Sequence, residues 1–289
     1  MTTAFVLSGG GTLGAVQVGM LLALAERGTI PDLIVGSSVG ALNAAFLAAD
    51  PSVAGVRGLE RVWRGLRRRD VFPLPLRPLP GVAALAAVAG RRSSLVDAGP
   101  LRRLVRRHLA FDRLEDAPVP VHVVATDVLT GHEVVLSEGP AVDAVLASAA
   151  LPGVLPPVAV EDHLLVDGGV VDNSPISVAV ELGAERVVVL PTGYACALTA
   201  PPRSALGTAL HAVTLAVQRR LLLDVAALQD EVDLQVVPPL CPLAVSPADF
   251  SRSGELVERA LASTRDWLDA PRVADQASQL ALHRHAGQH

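Results

Sequence analysis

Ala4-Phe5-Val6-Leu7-Ser8-Gly9-Gly10-Gly11-Thr12-Leu13-Gly14 stands at the start of the chain, and Leu33-Ile34-Val35-Gly36-Ser37-Ser38-Val39-Gly40 follows one helix-length later. Each is a short apolar run that breaks into glycines and small polar residues, the pattern of a buried strand meeting a tight loop. Between them Leu13, Val16, Val18, Met20, Leu21 and Leu24 fall at helical spacing, with a stop near Gly28; Ala41–Ala49 reads as a second helix. Strand, helix, strand, helix in this order predicts a parallel α/β sheet. A right-handed crossover lays the two strands side by side, so the loops leaving their carboxyl ends open on one edge of the sheet. The topology therefore sets the glycine loop next to Ser38.

Working outward, further strands are expected at Val121–Ala125, Glu133–Leu136, Leu164–Val166, Val187–Leu190 and Leu234–Val237. Helices are expected at Leu101–His108, Val142–Ala150, Ile176–Leu182, Leu206–Leu228 and Glu255–Leu268. Asn173-Ser174-Pro175 is a good helix start and Gly183 a good stop. No shift in composition divides the 289 residues, so one domain over 1–270 is expected, with a loose tail at 271–289. Pro73–Gly90, with four prolines, reads as an irregular excursion.

Composition excludes several chemistries. All 24 basic residues are arginine, so a Schiff-base lysine, a P-loop lysine and a Ser-Lys dyad are ruled out. Cys196 and Cys241 form no metal-binding spacing and are expected to be ordinary buried thiols. The start of the chain carries no charged leader, and the longest apolar stretch, Pro140 to Val160, is interrupted by prolines and Asp143. A cytoplasmic protein, with no metal and no cofactor, is the expectation.

Gly9–Gly14 satisfies G-x-G-x-x-G and Gly36–Gly40 satisfies G-x-S-x-G. Each alone is a weak signal in a chain with 24 glycines; their shared sheet edge gives them weight. A serine on a sharp strand-to-helix turn projects its hydroxyl from the sheet, and Gly36 and Gly40 let neighbouring backbone pass closely. Only Ser38, not Ser37, has glycine at both −2 and +2. The helix starting after it points its positive end at the site, and Gly9, Gly10 and Gly11 offer backbone N–H groups unobstructed by side chains. The bland alternative is a pair of structural turns. A nucleotide-binding oxidoreductase using Gly9–Gly14 is another, but it needs an acid at the end of the second strand, and Asp32 precedes that strand.

A serine nucleophile needs a base. His108, His122, His132, His163, His211, His283, His285 and His289 occupy no distinctive loop, although a histidine-using hydrolase with His211 is a rival. Asp167 ends the run Leu164-Leu165-Val166 and precedes Gly168-Gly169; by itself Asp-Gly-Gly is as well read as a turn.

Taken together, Gly9–Gly14, Gly36–Gly40 and Asp167-Gly168-Gly169, with Ala147-Ser148-Ala149-Ala150-Leu151-Pro152 and Asn173-Ser174-Pro175, resemble the patatin-like phospholipase family of bacterial type over roughly residues 4 to 190. The resemblance implies a three-layer α/β/α fold with a mainly parallel central sheet. It implies a Ser-Asp dyad that hydrolyses lipid acyl esters through an acyl-serine intermediate, with Ser38 as nucleophile, Asp167 as base, and Gly9, Gly10, Gly11 and Gly14 forming the oxyanion loop. A carboxylate of ordinary pKa about 4 becomes a better base when partly desolvated. Where many members carry Arg or Lys after the triple glycine, this chain has Thr12-Leu13, which weakens the expectation of a cationic contact to a phosphate there. A catalytically silent lipid-binding protein on the same fold is the remaining alternative.

Charge is placed unevenly. Residues 57 to 113 hold fourteen Arg against Glu60, Asp70, Asp97 and Asp112, in a chain of net charge −5. This stretch is either a set of solvated helix faces or a lid or membrane-facing region, with Arg57–Arg107 meeting anionic headgroups. The expected partner is a lipid ester, with peripheral membrane association and no nucleic acid.

Overall fold

The computed structural model describes residues 1–72, 94, 96–193, 205–241, 243, 245, 249–271 and 280. Pro73–Gly90, Cys196 and most of the 271–289 tail lie outside them.

The elements in chain order are β1 (Thr3–Leu7), α1 (Gly14–Glu26), β2 (Leu33–Ser37), α2 (Val39–Ala49), α3 (Val53–Gly65), α4 (Arg68–Val71) and α5 (Gly99–His108). Then come β3 (Val121–Asp127), β4 (Glu133–Leu136), α6 (Ala141–Ser148), β5 (Val158–Val160), β6 (His163–Asp167), α7 (Ile176–Glu181), β7 (Arg186–Leu190), α8 (Ala205–Leu228), β8 (Asp233–Val236) and α9 (Ser253–Asp269). The strands form one sheet in the order β5-β6-β3-β2-β1-β7-β8, with β4 also paired to β3. The run from β3 to β8 is parallel, as the sequence predicts. Beyond β3 the sheet is antiparallel, through β3–β4, β3–β6 and β5–β6.

Alternation along β1 explains the layers. Phe5 and Leu7 join the core under α1, α2 and α3, whereas Ala4 and Val6 join the core under α7 and α8. Both faces of the strand are buried, so the sheet lies between two helical layers. Helix α1 is buried from Gly14 to Leu24 because α9 covers its outer side; a Cβ on Gly19 would lie 2.3 Å from the Val257 carbonyl oxygen. That explains a helix apolar on every side.

One detail of register positions the site. Strand β2 pairs with β3 as far as Ser37 opposite Val124, and β4 occupies the other edge of β3 from Val123 to Thr126. Strand β6 pairs with Ala125–Asp127, so it takes up the edge that β2 has left. Asp167 lies opposite Ala125, one step past Ser37. Two residues far apart in sequence thereby meet at one point on the sheet edge.

One expectation is corrected. Cys241 is disulfide-bonded rather than a free thiol. A disulfide requires two Cα atoms about 5.5 Å apart, a condition set by the tertiary fold and not by sequence spacing. Among the described residues no helix is long and apolar enough to cross a membrane.

Candidate active site

Ser38 lies between β2 and α2 with φ 55° and ψ −124°. A non-glycine residue there is strained, at a cost of about 1–3 kcal/mol, and the surroundings hold it in place. Its N–H donates to Ser148 Oγ at 2.8 Å, and Ser148 Oγ donates to the Val124 carbonyl at 2.5 Å. Ser148 is fully buried at the end of α6, so this bridge ties the elbow to β3. On the other side, a Cβ on Gly40 would lie 2.0 Å from the Leu7 carbonyl oxygen, which leaves room only for glycine where α2 passes the end of β1.

The Ser38 hydroxyl donates to Asp167 Oδ2 at 2.7 Å. Asp167 is buried, and its second oxygen accepts from the Gly169 N–H at 2.8 Å. Its backbone is also held, with the N–H donating to Ala150 O and the carbonyl accepting from Thr126 Oγ1. Gly168 packs directly on β3; a Cβ there would approach Val124 O to 2.2 Å. Burial pushes the Asp167 carboxyl up to about 6, and the bonds from Ser38 and Gly169 hold it from rising further. The site thus contains a carboxylate that is ionised at neutral pH and more basic than one in water.

The glycine loop faces the same point. A Cβ on Gly9 would lie 3.0 Å from Ser38 Cβ and 2.4 Å from Asn173 Oδ1, and one on Gly14 would strike Val39 and Trp63. The loop is anchored at both ends by buried amides. Gln17 Nε2 donates to the carbonyls of Ser8 (2.8 Å) and Leu190 (2.9 Å). Asn43 Nδ2 donates to Gly14 O (3.0 Å) and Gln17 Oε1 (2.8 Å), while Asn43 Oδ1 accepts from Trp63 Nε1 (2.9 Å). Every polar atom of both amide side chains is used, which makes a rigid frame.

The structure therefore gathers Ser38, Asp167 and Gly9–Gly11 at one edge, with Gly36, Gly40, Gly168 and Gly169 forming the close backbone contacts around them. Among the described residues no histidine hydrogen-bonds to Ser38. His122 pairs with Ser137, and His163 with Asp127. Nor is there, among the described residues, a group of three His, Cys, Asp or Glu placed to hold a metal ion. Ser148, Gln17, Asn43 and Thr192 had no legible role in the sequence. Ser148 lies inside a block whose resemblance was visible, but its role depends on where α6 ends against β3.

Fold and site together define a three-layer α/β protein with a strained serine elbow facing a buried carboxylate. The chain belongs to the patatin-like phospholipase family, whose sequence model matches residues 5–180. It is 30% identical over 194 residues to patatin-like phospholipase domain-containing protein 6 of Mus musculus, covering 66% of this chain and 14% of that protein. An uncharacterized NTE family protein of Mycobacterium tuberculosis is 32% identical over 193 residues, covering 65% of this chain and 48% of the relative. The chain thus spans at most about half the length of these relatives. Human GIVD cytosolic phospholipase A2 overlays with a TM-score of 0.48 at 12% identity, over 96% of this chain and 59% of that one.

Proposed function

We propose that this protein is a serine acyl-ester hydrolase of lipids, with Ser38 as nucleophile, Asp167 as base and the N–H groups of Gly10 and Gly11 as oxyanion donors; the Gly9 N–H, expected from the sequence to join them, is instead spent on the Asn173 carbonyl at 3.0 Å. The observation that carries the reading is the 2.7 Å hydrogen bond from the Ser38 hydroxyl to a buried carboxylate raised to about 6. As Ser38 Oγ bonds to the ester carbonyl carbon, its proton passes to Asp167 Oδ2 and the carbonyl electrons move onto oxygen. The tetrahedral species collapses, the alkoxide leaves with the proton from Asp167, and an acyl-Ser38 remains. Water then repeats the sequence, giving its proton to Asp167 and releasing the fatty acid. Membership in the family supports a lipid ester as substrate.

The test is an ester panel (short nitrophenyl esters, lysophospholipid, diacyl phospholipid, monoglyceride) run on wild type and Ser38→Ala. Turnover of at least one lipid ester that Ser38→Ala abolishes is the expected result. Equal turnover by the two proteins would remove Ser38 from the mechanism.

The same reading includes peripheral attachment to an anionic membrane, by a narrower set of arginines than the whole basic stretch. Arg57 and Arg64 are paired with Glu60, Arg102 with Asp143, and Arg113 with Glu115. Arg67, Arg68, Arg69, Arg103, Arg106 and Arg107 make no ion pair among the described residues. They lie on or beside α4 and α5, which pack together. Each exposed arginine can contribute about 1 kcal/mol against anionic lipid.

A further inference from the structure

A run of three glycines leaves its peptide N–H groups accessible to a ligand, and for the same reason leaves them conformationally loose. Glycine reaches most of the backbone map, so a peptide flanked by glycines turns over easily. An oxyanion site works only when its donors are already aimed. Something outside the Gly9–Gly11 run must therefore constrain it.

The constraint is visible at the Gly9–Gly10 peptide. Thr192, buried just beyond the end of β7, donates from Oγ1 to the Gly9 carbonyl at 2.6 Å. Asn173 Nδ2 adds a longer bond of 3.4 Å to the same oxygen. Because a trans peptide is planar, with its carbonyl and N–H on opposite edges, fixing the Gly9 carbonyl on Thr192 directs the Gly10 N–H the other way. That N–H, like the N–H of Gly11, has no hydrogen-bond partner among the described residues. The contact is tight: a Cβ on Gly10 would lie 2.1 Å from Thr192 Oγ1, so this threonine also accounts for the glycine at position 10. The neighbouring Gly9 lies against Ser38, its would-be Cβ 3.0 Å from Ser38 Cβ.

We infer that Thr192 is a positioning residue that locks the Gly9–Gly10 peptide so that the Gly10 N–H serves the oxyanion formed at Ser38. Thr192 lies beyond the residues that the family model matches, 5–180. The inference rests on the Ser38 reading above. Thr192 touches no reacting atom and works only through the peptide it holds.

The experiment compares Thr192→Val, which keeps the shape and removes the donor, with Thr192→Ser, which keeps the donor. Both are assayed for kcat and KM on an ester that wild type turns over in a Ser38-dependent way. Both are also assayed for the affinity of a trifluoromethyl ketone, whose adduct with Ser38 carries an oxyanion. The Val variant is expected to lose about 10- to 100-fold in kcat with KM changed by less than about threefold, because the interaction is made in the transition state. Ketone affinity falls in parallel, and Thr192→Ser recovers most of both losses. If Thr192→Val does not fold, Thr192→Ala takes its place with the same outcomes. A folded variant lacking the hydroxyl that retains wild-type kcat and ketone affinity overturns the inference, and so does a Ser variant as impaired as the Val variant. Absence of Ser38-dependent turnover in wild type would instead strike the proposed function itself.

Discussion

Ser38 and Asp167 each sit where a residue of their type is unfavourable, one in a strained backbone conformation and the other as a carboxylate out of water. Raised above the ordinary 3.8, the Asp167 carboxyl favours the folded state below about pH 4, and that contribution disappears as pH climbs through about 6. At pH 8 the ionised, buried Asp167 thus lowers stability by about 2–3 kcal/mol. Asp167→Asn should then be more stable than wild type at pH 8, by a margin that shrinks toward zero at pH 4, and should lose orders of magnitude in kcat. Asp172 is also buried and raised to about 7, and burial raises Glu133 as well, so wild-type pH profiles mix several groups; the difference between wild type and Asp167→Asn isolates one. Denaturant titrations across that range check it, and a margin independent of pH would contradict the assigned environment. Wild-type kcat should fall as pH drops through about 6.

The strand–helix pairs around Ser38 were legible because two signals coincided, apolar runs ending in glycine and helical spacing between them. The G-x-S-x-G frame singled out Ser38 from the residues alone. Asp167 could not be assigned that way, since Asp-Gly-Gly is equally a turn; its role depends on β6 replacing β2 along β3, a register relation that no local pattern carries. Strand β5 was missed because Val158–Val160 is short and follows Pro156-Pro157 directly. The helix that ends at Ser148 was expected, yet its function as the anchor of the elbow was not. Ser148→Ala would leave the part-buried Ser38 N–H without its acceptor, at a cost of about 1 kcal/mol. The expected outcome is a lower unfolding midpoint together with reduced kcat. Unchanged kcat in a destabilised variant would mean that the elbow holds its shape without the bridge.

At the scale of the whole molecule, the uneven charge read from the sequence resolves into paired and unpaired arginines. Changing Arg67, Arg68 and Arg69 to Gln should weaken sedimentation with anionic vesicles, as should added salt, while zwitterionic vesicles bind poorly throughout. Indifference to lipid charge, salt and the triple change would leave these arginines as solvated helix faces. The hydrogen bond between Ser38 and Asp167 is tested most simply by covalent labelling. Wild type, Ser38→Ala and Asp167→Asn should be treated with an alkyl fluorophosphonate, and the adduct followed by intact mass and mapped by peptide. One adduct on Ser38 is expected in wild type, none in Ser38→Ala, and labelling slowed by orders of magnitude in Asp167→Asn. An adduct on another residue, or labelling of Asp167→Asn at the wild-type rate, would contradict it.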